Sequence, residues 1–430
     1  MSVRQSDMPR VLVVSHNVMG GSSGMGKTLA NMLAFVPRES IAQLYFHSEI
    51  PTKDVCASYY RVTDPEMLGS LRGKRATGTI YSHEDVCEAS TSRVDVGATA
   101  KAYQLGRKRT SLVYALRNTL WRVGRWDTPK LDAWLRDFAP DVIFFAAGDY
   151  AFAYRIVHTI SKRLQIPVVM WCADDYFLGH SLKGLVHRNL LRWLKRIDDE
   201  VAAVITISDK MARDYAALFH QPISVVRMPV EVNPYRVPFC DRKGIVYVGS
   251  LGVGRLKPLL ELAREVHSED VQGCNVIHVY TGDKNERTIA AMNSEPGIQC
   301  HGQINADEVP RVLGTARYVL HVESFERRFK ERTRYSLSTK IGESLASGAC
   351  LVAYGPSDIA SIEYLSEHSA GIVLKKAHEI KRLLHDDGNG GNVVSGIEHS
   401  LSLARDLHDA KKNRDLLQKV ICEAYERERS

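Results

Sequence analysis

The chain has 430 residues, 44% of them hydrophobic and 25% charged, with 57 Lys and Arg against 50 Asp and Glu for a net charge of +7. That length exceeds what one hydrophobic core supports, so two domains are expected. The mild positive excess does not indicate nucleic acid, no nucleic-acid motif occurs, and no apolar run approaches the roughly 20 residues of a membrane span.

The cysteines are Cys56, Cys87, Cys172, Cys240, Cys274, Cys300, Cys350 and Cys422. They are scattered and form no C-x-x-C pair, which reads as reduced thiols in a cytoplasmic protein. The first residues, MSVRQSDMPRVLVVS, lack the apolar core of a secretory signal.

Residues 11–15 (VLVVS) are apolar and β-branched, the pattern of a buried parallel strand. A glycine-rich loop and a helix over 28–35 follow. Further strands are expected at 41–46, 142–146, 168–172, 203–207 and 223–226, with helices at 152–164, 185–197 and 209–219. Residues 52–108 show little periodicity and are expected to hold strand edges, loops or a mobile segment. Residues 228–243 (MPVEVNPYRVPFCDRK) carry three prolines and read as a linker. Alternation then resumes. Strands are expected at 244–249, 276–280, 298–300, 318–322, 350–353 and 371–373, with helices at 256–267, 286–292, 307–314, 339–346 and 358–366. Residues 386–392 (DDGNGGN) read as a loop and the chain end as charged amphipathic helix. Strand alternating with helix in both halves implies two doubly wound parallel sheets.

Residues 21–28 (GSSGMGKT) satisfy the pattern G-x-x-x-x-G-K-[ST] of a phosphate-binding loop, with Lys27 and Thr28 as the phosphate and Mg²⁺ contacts. Two features oppose it. The preceding strand ends near Ser15, five residues too early, and no strand ends in an Asp for the metal; Asp141 begins its strand. The favoured reading is a glycine-rich loop in which Gly20, Gly21 and Gly24 let backbone approach a ligand.

Residues 336–356 (SLSTKIGESLASGACLVAYGP) read as a capped helix, a turn at Gly348 and a buried strand. Ser338 and Thr339 both suit an N-cap. Lys340 and Glu343, three apart, share a helix face. A helix start attracts anions, a lysine adds charge, and a carboxylate one turn in can accept two hydrogen bonds from paired hydroxyls. A nucleotide-sugar needs that combination. A capped surface helix with an ordinary Lys–Glu pair fits the same spacing.

Five segments, in order, resemble the retaining GT-B glycosyltransferases that use nucleotide-sugars: SHNVMGGSSG, IPVVMWCADDYF, VITISDKMARDYAALFHQPISVVRMPVE, GIVYVGSLGVGRLKPLLELA and STKIGESLASGACLVAYGP. The resemblance implies two tandem Rossmann-like domains facing across a cleft. It places an acceptor-side domain at 1–228, a linker at 229–243, a donor domain at 244–408, and a C-terminal helix at 409–430 packing back on the first domain. It implies retention, no required metal or other cofactor, and a role in surface polysaccharide or glycolipid synthesis. The acceptor would be a glycan, a lipid-linked sugar or a small molecule.

By the same resemblance Glu343 matches the ribose-binding glutamate, and Arg255 falls at the lysine of the diphosphate clamp, with Lys340, Ser338 and Thr339 beside it. Asp174 or Asp175 sits at the catalytic position, and Gly20 and Gly21 match the first loop. The clamp's other basic position is Ser250, and the second family glutamate is replaced by Tyr335. Glu323, after YVLHV, is the candidate substitute. The charged residues 324–335 are expected to fold over the donor or to remain a solvated loop.

Residues 101–126 hold seven Lys or Arg and no acid. Leu112, Leu116, Leu120 and Val123 form one helical stripe; Arg117, Trp121 and Arg125 form another. Residues 181–197 set Val186, Leu190, Trp193, Leu194 and Ile197 against Arg188, Arg192 and Lys195. Such helices either pack an apolar face on a core or lie on an anionic membrane, here the inner face of the cytoplasmic membrane.

Overall fold

The computed structural model describes residues 8–21, 23–73, 77–88, 111–179, 184–233, 237–269, 274–385 and 391–429. The chain divides into two compact units. Unit 1 comprises Met1–Thr206, Asp214–Val225 and Arg414–Ser430; unit 2 comprises Ile207–Arg213 and Val226–Asn413.

Up to the linker, the order is β1 (Val11–Ser15), α1 (Gly24–Met32), β2 (Ile41–Tyr45), β3 (Ser58–Arg61), α2 (Asp64–Leu71), β4 (Thr79–Tyr81), α3 (His83–Glu88), α4 (Ser111–Val123), α5 (Pro129–Phe138), β5 (Val142–Ala146), α6 (Ala151–Leu164), β6 (Val168–Cys172), α7 (Gly184–Ile197), β7 (Val201–Thr206), α8 (Asp209–Tyr215) and β8 (Ile223–Val225). The eight strands form one sheet in the order β4-β3-β2-β1-β5-β6-β7-β8. All pairings are parallel except β3 with β4.

From there the order is β9 (Lys243–Val248), α9 (Leu256–His267), β10 (Ile277–Tyr280), α10 (Glu286–Asn293), β11 (Ile298–Gly302), α11 (Val309–Thr315), β12 (Ala316–Val322), α12 (Arg327–Thr333), α13 (Thr339–Ala346), β13 (Cys350–Tyr354), α14 (Ala360–Glu367), β14 (Ile372–Leu374), α15 (Glu379–His385), α16 (Gly391–Leu407) and α17 (Ala410–Arg429). The unit 2 sheet is parallel, in the order β11-β10-β9-β12-β13-β14.

Several expectations change. Helix α1 begins at Gly24 rather than residue 28, because Ser23 caps it and accepts from Gly26 N at 3.0 Å. Gly26 N and Lys27 N are thereby committed to Ser23, through its Oγ and its carbonyl. Two of the backbone amides that a phosphate loop would present are thus used within the helix start.

Residues 52–88 hold two short strands and two helices, whose three- and four-residue edge strands are too brief to show alternation. Helix α5 is additional to the expected elements; it buries Leu131, Trp134, Leu135 and Phe138 on one face behind a Thr128 cap. The charged segment after β12 contains α12, not a plain loop. The terminal helix is two helices, because Asp409 starts a new one by accepting from Lys412 N at 2.7 Å. Residues 89–110, 181–183 and 386–390 of the predicted segments lie outside the described residues. Among the described cysteines, Cys56, Cys172, Cys274, Cys350 and Cys422 are buried free thiols and Cys240 is an exposed one.

In unit 2, neighbouring strand residues serve opposite faces. Ile245, Tyr247, Tyr318 and Leu320 pack with Leu259 and Leu262 of α9. Val246 and Val319 pack on the other side with Ile341 and Leu345 of α13. That four-residue spacing puts both α13 side chains on one face. Burying each stabilises by about 1.5–3 kcal/mol, which fixes the start of α13 beside the strand ends.

Gly342 sits between them on the helix. A Cβ there would meet Val230 Cγ1 at 2.7 Å and His408 Nδ1 at 2.9 Å. Ala is preferred to Gly in a helix by about 1 kcal/mol, but overpacking costs about 1–3 kcal/mol. Gly342→Ala is therefore expected to lower the urea midpoint of unfolding. A raised midpoint would refute the close approach.

Candidate active site

The unit 2 sheet reverses its strand order between β9 and β12. Open α/β sheets bind ligands beyond the carboxyl ends of their strands at such a reversal. A cavity of about 240 Å³ lies there, lined by Gly249 and Ser250 after β9, Arg255, His321 and Val322 of β12, and Ser338, Thr339, Lys340 and Ser344 of α13. Four predicted residues, Arg255, Ser338, Thr339 and Lys340, thus share one cavity.

Ser338 caps α13, its Oγ accepting from Lys340 N at 3.4 Å. The helix start brings N–H groups and the positive end of its dipole to the cavity. Lys340 Nζ donates to Glu343 Oε2 at 3.0 Å, and both side chains are partly exposed. Glu343 is not on the cavity wall; it stands one turn further along α13. An exposed ion pair contributes about 0–1 kcal/mol, so both groups can exchange partners for a ligand at little cost.

Arg255 differs. Its Nη2 donates to Glu323 Oε1 at 2.7 Å, and the Glu323 side chain is only 2% exposed. His321 Nε2 lies 3.4 Å from the same oxygen. Burial alone would lower the Arg255 pKa, but the charge and hydrogen bond of Glu323 prevail and raise it. Arg255 is therefore a permanent cation. Glu323 is placed behind it rather than on the cavity wall, since its N–H bonds Tyr354 O at 2.9 Å and continues the sheet. Tyr335, where the resembled family has its second glutamate, is buried, and its carbonyl accepts from Ser208 Oγ at 2.9 Å.

The unit 1 sheet reverses between β1 and β5. His16 follows β1, and Asp149 and Tyr150 follow β5. The His16 ring lies 4.9 Å from Tyr150 and 5.5 Å from His47. Arg117 stacks over Tyr150 at 4.2 Å, and Asp149 accepts from the Tyr114 hydroxyl. No motif in the sequence marks these residues; their position at the reversal follows only from the strand order.

The predicted unit 1 residues make contacts within their own unit. Gly20 has φ +73°, and a Cβ on it would lie 2.8 Å from Lys53 O. A Cβ on Gly21 would lie 2.7 Å from Val18 Cγ1. Packing within their own unit therefore requires glycine at both positions. Asp175 Oδ1 accepts from Phe177 N at 3.1 Å, Leu178 N at 3.0 Å and Tyr215 Oη at 2.8 Å, so it closes the turn after β6. Asp174 precedes it, and its Oδ1 accepts from Asp175 N at 2.9 Å. Among the described residues, no group of three or more His, Cys, Asp or Glu is placed to hold a metal ion.

Residues 89–233 match the family model for Glycosyltransferase Family 4. The structure is similar to that of Alr3699/HepE from Anabaena in complex with UDP, with a TM-score of 0.63 at 12% identity over 96% of this chain and 100% of that one. It is similar also to an α,α-trehalose-phosphate synthase (UDP-forming) from Burkholderia xenovorans in complex with glucose-6-phosphate, with a TM-score of 0.59 at 12% identity over 96% and 100% of the two chains. A glycosyltransferase from Rickettsia africae gives a TM-score of 0.59 at 9% identity over 97% and 98%. No curated protein sequence matches the chain. The class is thus defined: the architecture is GT-B, two Rossmann-like domains in tandem.

Burial pushes His321 down to about 4 from its ordinary 6.5, against the pull of Glu323. The unfolded chain then binds a proton that the folded chain does not. Stability is expected to be full above pH 6.5 and to fall as pH drops towards 4, by up to about 1.4 kcal/mol per pH unit for this group. His321→Gln should flatten that slope in unfolding free energies measured across the range. An unchanged slope would exclude His321 as its source.

Proposed function

We propose that the protein moves a sugar from a nucleoside-diphosphate sugar to an acceptor hydroxyl with retention of configuration. The observation that carries this is the β9–β12 cavity, which gathers Arg255, Lys340 and the start of α13 with Glu343 one turn away. The similar structures that hold UDP make a UDP-sugar the first donor to try.

Cleavage of the donor's glycosidic bond leaves the bonding electrons on a diphosphate oxygen and an oxocarbenium-like sugar. Arg255 and Lys340 stabilise the charge that develops on the diphosphate, together with the helix dipole. Arg255 offers a planar fork, Lys340 a compact charge. Glu343 accepts from the ribose hydroxyls. In this reading no metal is needed, because two cations and a helix start supply the positive charge.

The acceptor is a glycan, a lipid-linked sugar or a small molecule, bound at the β1–β5 reversal where His16, Asp149 and Tyr150 stand. Asp174 faces the reacting groups, and Asp175 acts as its positioning residue. The setting is surface polysaccharide or glycolipid synthesis, with peripheral contact to the anionic inner face of the cytoplasmic membrane.

A panel of nucleotide-sugars scored by thermal shift identifies the donor, since a ligand of the folded state raises stability with concentration. Glu343→Ala is expected to weaken that donor by roughly ten- to a hundredfold, the loss of about 1.5–3 kcal/mol for hydrogen bonds to a charged group. Unchanged affinity would remove Glu343 from the site. Donor binding without transfer across a broad acceptor panel would favour a non-catalytic binding protein. Lys27→Ala should leave transfer intact; Mg²⁺-dependent ATP hydrolysis that is lost in this variant would restore the phosphate-loop reading.

A further inference from the structure

We infer that helices α4, α6 and α7 of unit 1 form a docking site for the phosphorylated headgroups of an anionic lipid surface. This deepens the membrane part of the proposed function by naming its site, and rests on that part alone.

The three helices enclose a groove of about 700 Å³ whose wall includes Arg122, Arg155, Arg192 and Arg196 and no Asp or Glu. Among the described residues none of the four has a carboxylate partner. Arg155 Nη1 donates to the carbonyl of Arg122 at 3.0 Å, and Arg196 stacks on Trp193 at 4.8 Å. Four like charges around one groove repel one another until an anion enters. The amide oxygen of Asn118, on the same wall, is buried without a hydrogen-bond partner among the described residues.

The apolar surroundings decide what kind of anion fits. Helix α4 turns Tyr114 and Trp121 inward, where Trp121 stacks on Phe152 at 4.2 Å and donates Nε1–H to Asp64 at 2.6 Å. Its leucine stripe is left in solvent: Leu112 is 69% exposed and Leu116 62%, while Leu185 at the start of α7 is 76% exposed. By helical spacing, Leu112 and Leu116 form the column next to that of Ala115 and Arg122. A row of exposed leucines beside unpaired arginines suits the boundary between headgroup and acyl chain. A soluble phosphate compound or a nucleic acid would use the arginines and leave the leucines in water.

The test is co-sedimentation of the full chain with phosphatidylcholine vesicles, with and without phosphatidylglycerol. Binding is expected only to the anionic vesicles, and should weaken as salt rises. Arg122→Glu with Arg192→Glu should reduce it more than about tenfold. Leu112→Ser with Leu116→Ser should also reduce it. All four side chains are exposed or line the open groove, so the variants should melt at the wild-type temperature. They should also keep any thermal shift given by a nucleotide-sugar, which separates failure here from failure of the donor site. No binding to anionic vesicles, or equal binding by the arginine variant, overturns the assignment. So does stabilisation by inorganic phosphate or retention of an oligonucleotide without vesicle binding, either of which would give the groove a different ligand.

Discussion

The ion pair between Arg255 and Glu323 ties the loop after β9 to the end of β12, across the point where the strand order reverses. Burying two charges is unfavourable, and removing one partner of such a pair typically costs about 3–5 kcal/mol, because the other is left uncompensated. The loop it holds is strained. Val253, a β-branched residue, has φ +55°, and Gly254 follows at φ +77°. Such backbone persists only where its surroundings over-determine it. Phe329 of α12 adds to that constraint, because even a Cβ on Gly254 would lie 2.2 Å from its ring.

The site therefore contains two ion pairs of opposite character. Arg255–Glu323 is largely buried, so Arg255 is held in one orientation at the cavity wall. Lys340–Glu343 is open to water and weak, so its members are the adaptable part. A cation that does not reorganise contributes most when charge develops during reaction, whereas exchangeable groups suit recognition of the ground state.

How far the sequence was legible depended on chain locality. The central strands were readable because parallel strands buried on both faces are continuous apolar runs. Helix α13 was readable to its ends, since Ser338 caps it and Ile341 and Leu345 set its period. Features that depend on distant partners were not. Helix α4 has two stripes, and the sequence does not say which packs; the wide ring of Trp121 and its bond to Asp64 decide it. The packing of Gly20 against Lys53 and of Gly21 against Val18 has no local signature in the sequence. Asp174 and Asp175 are equivalent as letters, and only the three donors converging on Asp175 distinguish them.

The distribution of thiols has a practical side. A thiol reacts as its thiolate, and burial pushes Cys56 and Cys350 up to about 12. Cys172 and Cys274 are raised for the same reason. Cys240 stands exposed just before β9. Among the described thiols it is the natural attachment point for a maleimide fluorophore. A dye there would report on unit 2 without touching the β9–β12 cavity.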